Sequence, residues 1–191
     1  GASYRGSPIG TFGDATMFSF HPAKNLTTGE GGALVTDSDE IAARATRLRF
    51  HGIDQTPDSR FGGRGSGAYD VVEPGFKYNF TDLQGAIGLH QLARLDEMNA
   101  RRTRLAELYL EQRVPHVAPL ARAPYEHVNA WHLKVVQLEV EALTASRFEV
   151  IAELKEKGVA PGLHFVPLHL QTLYRPMVAD PSRLAVATDA F

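Results

Sequence analysis

The sequence predicts an α/β fold, and three observations carry that prediction. Two short apolar runs, at 15–20 and 33–36, flank a connection rich in glycine and hydroxyl groups. A capping-box pattern at 81–84 opens the longest helical stretch, which runs to about Gln112. Beyond Pro115, Pro119 and Pro124 a strand, helix, strand order follows, the signature of a small α/β layer.

Residues 15–20 (Ala-Thr-Met-Phe-Ser-Phe) alternate apolar with small or polar side chains, and 33–36 are apolar between Gly31-Gly32 and Asp37, so both are expected as strands. The turn-rich connection between them is where strands would hold active-site groups. Ser38 can cap a helix reaching about Phe50, with Asp39 and Glu40 suited to its positive end. Residues 51–74 are glycine-rich without a sustained period, and loops of that length are commonly functional. In the long helix, Thr81 and Gln84 can satisfy two orphan amides reciprocally, while Ile87, Leu89, Leu92, Leu95 and Met98 form the apolar stripe. Residues 131–140 read as a strand, 146–157 as a helix stopped by Gly158, and 159–166 as a second strand. The expected division is a larger unit over 1–112 and a small α/β unit over 113–191, incomplete at its end. Gly1 in place of Met and a helical reading of 182–191 without a stop signal give the expectation of a fragment.

Composition narrows the function. The chain has 191 residues, 43% hydrophobic and 22% charged, and a net charge of -2, with basic residues dispersed rather than massed, which argues against a nucleic-acid partner. The absence of cysteine excludes disulfides, thiolate zinc sites and a cysteine nucleophile. No apolar run approaches the roughly 20 residues of a membrane span, and the first residues lack a signal-peptide pattern, so a cytoplasmic protein is expected.

Lys24 is the residue of chemical interest. A lysine amine serves as a nucleophile when a fixed backbone delivers it to an electrophile, and Lys24 lies between the two expected strands. Ser19, five residues earlier at a strand end, can offer a hydroxyl to a phosphate of the same ligand. The plainer reading is a solvated surface amine. His164 and His169 have a spacing unsuited to a shared metal, and no other histidine cluster suggests one. Trp131 and His132 read as packing residues between units, and Arg60 and Arg64 as arginines able to meet a diphosphate or simply to be solvated.

The run Phe-Ser-Phe-His-Pro-Ala-Lys-Asn-Leu-Thr-Thr-Gly-Glu-Gly-Gly over 18–32 resembles the cofactor-lysine signature of the DegT/DnrJ/EryC1/StrS sugar aminotransferases, which are fold-type-I enzymes. The resemblance extends through Phe-His-Gly at 50–52 and Pro-Gly-Phe-Lys-Tyr-Asn-Phe-Thr-Asp-Leu-Gln-Gly-Ala-Ile-Gly at 74–88. It implies that Lys24 carries pyridoxal 5'-phosphate as a Schiff base and acts as general base and acid, and that Ser19 binds the phosphate. The usual Gly-x-Asn-Tyr-Arg is here Gly-x-Lys-Tyr-Asn, so Lys77 and Asn79 are the implied cofactor ligands, with Lys77 reaching across a homodimer of shared active sites. With Ala-Trp-His-Leu at 130–133 and Gly-Leu-His-Phe at 162–165, the chain is most similar to the aminotransferases that make UDP-4-amino-4-deoxy-L-arabinose for lipid A modification. The resemblance places His164 and Phe165 near the nucleotide sugar and implies glutamate as amino donor. It implies the C-terminal part of such an enzyme: the end of the large mixed-sheet domain, a long helix and a small α/β domain. The alternatives are a non-catalytic oligomerisation or nucleotide-sugar-binding fragment, a regulator with an idle lysine, and a dehydratase relative, which would carry histidine at position 24.

Overall fold

In the computed structural model, which describes residues 1–55, 59–60, 62 and 67–191, the chain opens with two-residue strands β1 (Ser3–Tyr4) and β2 (Ser7–Pro8) paired antiparallel. Strands β3 (Thr16–Ser19) and β4 (Gly32–Val35) form an antiparallel pair in the register Thr16 to Val35 and Ser19 to Gly32, as the apolar runs predict. Helix α1 (Asp39–Leu48) starts where expected: Ser38 Oγ accepts from the Ile41 amide, and Asp39 and Glu40 occupy the first turn. Arg44 and Arg47 reach Glu73 at 3.3 and 3.2 Å, which ties α1 to the far end of the glycine-rich stretch. That stretch closes on itself through isolated bridges, Phe50 to Lys77 and Ile53 to Val71.

The long helix is two helices, α2 (Asp82–Ala93) and α3 (Leu95–Glu111). The capping box at Thr81 and Gln84 is present with both bonds made. Between the helices Arg94 leaves helical geometry (φ -105°, ψ 1°), and its amide donates to Gln91 O and Leu92 O. No glycine or proline marks that break in the sequence.

Beyond α3 lie β5 (Val117–Pro119), β6 (His127–Val128) and β7 (Val136–Leu138). Strand β6 pairs antiparallel with β1, giving the order β2-β1-β6, and β5 pairs with β7. The expected strand over 131–140 shrinks to β7 for a physical reason. Trp131 takes a left-handed φ of 48°, and the carbonyls of Trp131 and His132 face Arg102 Nη1 at 3.3 and 3.5 Å instead of a neighbouring strand.

Two compact units result, Gly1–Gln137 and Leu138–Phe191. The sequence places the change at 112–113, but the β1–β6 pairing returns residues 127–128 to the first unit. The second unit contains α4 (Arg147–Glu156), opened by a capping box between Ser146 and Glu149, and α5 (Ala185–Asp189) with 3-10 turns between them. The expected strand at 159–166 does not form, because Pro161 removes a donor and no partner strand lies in this unit. A 3-10 turn at Pro181–Leu184 precedes α5 where one continuous helix is expected.

Little of the chain is fully buried. Among the described residues the buried apolar side chains are Ile53 (6% exposed) and Ala106. The surface of 14802 Å² is well above the about 9,000 Å² of a compact monomer of 20.9 kDa. Exposed apolar side chains are spread along the chain; on α2 Leu83 is 80% exposed, and Ile87, Leu89 and Leu92 are exposed as well. No helix among the described residues is long and apolar enough to cross a membrane.

Candidate active site

The β3–β4 pair holds the connection that carries Lys24, and local hydrogen bonds fix its path. Ser19 Oγ accepts from the His21 amide at 3.4 Å, His21 Nδ1 accepts from the Ala23 amide at 3.1 Å, and the Lys24 amide donates to His21 O at 2.9 Å. Phe20 O accepts twice, from the Thr28 amide at 3.1 Å and from Thr27 Oγ1 at 3.0 Å, so the segment's ends are bonded together. Thr28 is 3% exposed and donates from Oγ1 to Glu30 O at 2.6 Å.

Helix α2 lies close against this connection. A Cβ on Gly88 would stand 3.1 Å from Thr28 Cγ2, so only a glycine lets the helix approach without displacing Thr28. Gly31 has φ 145°, and a Cβ there would meet Phe80 at 2.6 Å and Thr28 Oγ1 at 2.7 Å. Gln84 Nε2 adds a bond to Glu30 O at 2.8 Å, so the residue that caps α2 also holds the lysine connection.

Between α2 and the connection lies a cavity of about 670 Å³, within the roughly 300–1,000 Å³ of small-molecule sites. Phe18, Phe80, Leu89 and Leu92 give it apolar walls, and Ser19 and Lys24 both line it. Lys24 Nζ stands 3.4 Å from His132 Nε2. The segment bearing His132 is tied down independently: Asn25 Nδ2 donates to Ala130 O at 2.6 Å and to Asn99 Oδ1 on α3 at 2.8 Å, and the Trp131 amide donates to Asn129 Oδ1 at 2.8 Å. Asn25 Oδ1 is buried without a hydrogen-bond partner.

The structure thus brings Ser19 and Lys24 to one cavity, which Lys77 and Asn79 do not line. Lys77 Nζ lies 4.1 Å above the Phe50 ring. Asn79 lines a second cavity of about 420 Å³ beside Arg47, Arg49 and Phe50. His164 and Phe165, with ring centroids 4.5 Å apart, belong to the second unit. Arg60 stacks 3.9 Å from the Tyr69 ring, and Arg64 lies outside the described residues. His132, Asn25 and Asn99 are the site residues that sequence reasoning misses or reads only as packing. Their contacts span 74 to 108 residues, and no local pattern signals them.

Comparison with known proteins shows the family. The profile of the DegT/DnrJ/EryC1/StrS aminotransferase family matches residues 1–191. An uncharacterized protein of Methanocaldococcus jannaschii is 42% identical over 176 residues, covering 92% of this chain and 46% of its own length. A protein of Streptococcus pneumoniae assigned as a sugar aminotransferase and solved in its PLP-form is 31% identical with a TM-score of 0.84, over 100% of this chain and 48% of that one. The sugar aminotransferase CalS13 of Micromonospora echinospora is 27% identical with a TM-score of 0.79, over 100% of this chain and 49% of that one. The chain spans about half the length of the relatives it matches. It belongs to the DegT/DnrJ/EryC1/StrS aminotransferase family.

Proposed function

We propose that this chain carries the cofactor-lysine half of a pyridoxal-phosphate-dependent aminotransferase acting on a nucleotide-linked keto-sugar, with Lys24 as the residue that bears the cofactor. The observation that carries this reading is the shared cavity of Lys24 and Ser19, backed by a hydrogen-bonded connection that fixes both. The residues fit the cofactor. The cavity has the size for it, its apolar walls suit an aromatic ring, and Ser19 Oγ can donate to a phosphate oxygen.

When bound, pyridoxal phosphate supplies an electron sink for a carbanion next to nitrogen. The chain's own residues supply position and proton handling. Lys24 would hold the cofactor through Nζ, and its amine, when free, would move a proton as general base and then as acid. Ser19 would hold the phosphate end, and Phe18, Leu89 and Leu92 would offer apolar wall to the ring. Ping-pong kinetics are the expected signature of such transfer.

The finer reading is a UDP-4-keto sugar as acceptor and glutamate as donor, as in the enzymes that make UDP-4-amino-4-deoxy-L-arabinose. Its support is the motif resemblance at 74–88, 130–133 and 162–165. His164 and Phe165 are the proposed sugar-nucleotide contacts. Lys77 and Asn79 lie outside the lysine cavity, which fits ligands offered to the partner's site in a cytoplasmic homodimer. The second reading, a non-catalytic oligomerisation or nucleotide-sugar-binding fragment, draws on the exposed apolar face of α2.

The test is an absorbance spectrum of the full chain its gene encodes with added pyridoxal phosphate, beside Lys24→Ala. A band above 400 nm is not needed to score it: a cofactor-dependent band that the variant loses supports Lys24, and equal spectra refute it.

A further inference from the structure

We infer that His132 is a positioning residue for Lys24, holding its Nζ in reach of the cofactor during the steps in which that amine is not bonded to it. The inference rests on the reading of Lys24 given above. It assigns His132 a role beyond packing.

The first argument is contact. Lys24 Nζ and His132 Nε2 are 3.4 Å apart, at the long end of hydrogen bonding, and both side chains line the same cavity. The contact survives a change of proton count on the amine. An ammonium donates to an unprotonated Nε2, and a neutral amine can donate to it or accept from Nε2–H, the choice resting on the imidazole tautomer. A lysine that moves a proton needs such a partner, since a carboxylate in that place would favour the ammonium alone.

The second argument is restraint. A lysine side chain has four flexible bonds and loses up to about 2 kcal/mol of rotamer entropy when fixed, so a useful partner must itself be immobile. The backbone around His132 is held by bonds from two other elements. Asn25 of the lysine connection donates to Ala130 O, and Arg102 of α3 faces the carbonyls of Trp131 and His132. Trp131 is kept in a left-handed conformation that a non-glycine residue seldom adopts, at φ 48°. The lysine connection therefore fixes the partner of its own lysine: Asn25 sets the backbone that carries His132, and His132 meets Lys24.

The experiment compares His132→Phe and His132→Gln with the unaltered full chain encoded by the gene, all freed of cofactor. Two probes are used. Pyridoxal phosphate bonds to Lys24 when Nζ adds to the aldehyde carbon and water leaves; borohydride then fixes the bond, and peptide mass spectrometry reads rate and site. 4'-Deoxypyridoxine 5'-phosphate lacks the aldehyde and reports non-covalent binding alone. In His132→Phe the capture rate at Lys24 is expected to fall about tenfold, the size of one net hydrogen bond, with deoxypyridoxine phosphate binding within about twofold of normal. His132→Gln, which keeps a donor and an acceptor, is expected to recover most of the rate. Equal capture rates in all three proteins would overturn the proposal. So would a parallel loss of both probes in both variants, which marks a purely structural residue. Capture at a lysine other than Lys24 in the unaltered protein would overturn the underlying reading of Lys24, and the positioning role with it.

Discussion

Asn25→Asp is the sharpest test of the network behind the lysine, because it changes one nitrogen to oxygen. Asn25 Nδ2 donates to Ala130 O at 2.6 Å and to Asn99 Oδ1 at 2.8 Å, and both partners accept at those atoms. The aspartate has no proton for either, so two hydrogen bonds are lost, about 1 kcal/mol each. A charge placed against two oxygens raises the total to about 3 kcal/mol at neutral pH. For a chain of 191 residues that corresponds to a fall of about 6–12 °C in Tm. Asn25→Leu removes the same donors without adding charge and should lose about 2 kcal/mol. The two variants separate further with pH. Its oxygen neighbours raise the folded pKa of the introduced carboxyl above its unfolded value of about 3.9. The excess penalty is therefore present at neutral pH, shrinks as pH falls through the raised value, and vanishes below about 3.9. Thermal unfolding of the full chain at pH 7 and pH 4 is the assay. A Tm within about 2 °C of the unaltered protein at pH 7, or a gap between the two variants that does not narrow at pH 4, would refute the argument.

Two other perturbations probe the fold around the site. Gly31→Ala puts a Cβ 2.6 Å from Phe80 at a φ of 145°, and should destabilise by about 2–3 kcal/mol in urea unfolding; an unchanged midpoint would contradict the close approach. Glu149 is held below the ordinary glutamate value of 4.5 by its hydrogen bonds from Ser146, the side-chain bond first. Its depressed pKa means that the contribution is present above the unfolded value and lost as pH falls through the folded one. The stability difference between the unaltered chain and Glu149→Gln should therefore shrink between pH 6 and pH 3, and a constant difference would count against the capping box.

How much of this was legible in the sequence depended on the range of each contact. The Ser38 cap and the Thr81 and Gln84 box rest on bonds between residues a few positions apart, strands β3 and β4 pair across a single connection, and all lie where the pattern puts them. The break at Arg94 was illegible because neither glycine nor proline marks it. The strands expected at 131–140 and 159–166 fail because apolar runs specify a strand only when an edge is free to pair. In the first, Arg102 takes the carbonyls, and in the second Pro161 interrupts the donors. His132 was invisible as a lysine partner because 108 residues separate the pair. Asn25 was hidden in plain view, beside the lysine, with its reason for being asparagine 74 and 105 residues away.

The double use of Phe20 O has a bearing on how this site can vary. Because that one carbonyl receives both Thr27 and Thr28, residues 20–28 form a ring closed by hydrogen bonds, with Lys24 midway around it. A ring of fixed circumference sets the reach of its central side chain as a gauge block sets a gap. Side chains on its outer edge, such as Pro22 and Ala23, are free to drift, whereas one residue inserted or deleted between Ser19 and Thr28 would rotate the lysine out of the cavity. Apart from Lys24, Asn25, Thr27 and Thr28, whose side chains make the site's bonds, spacing more than residue identity is what this loop must keep.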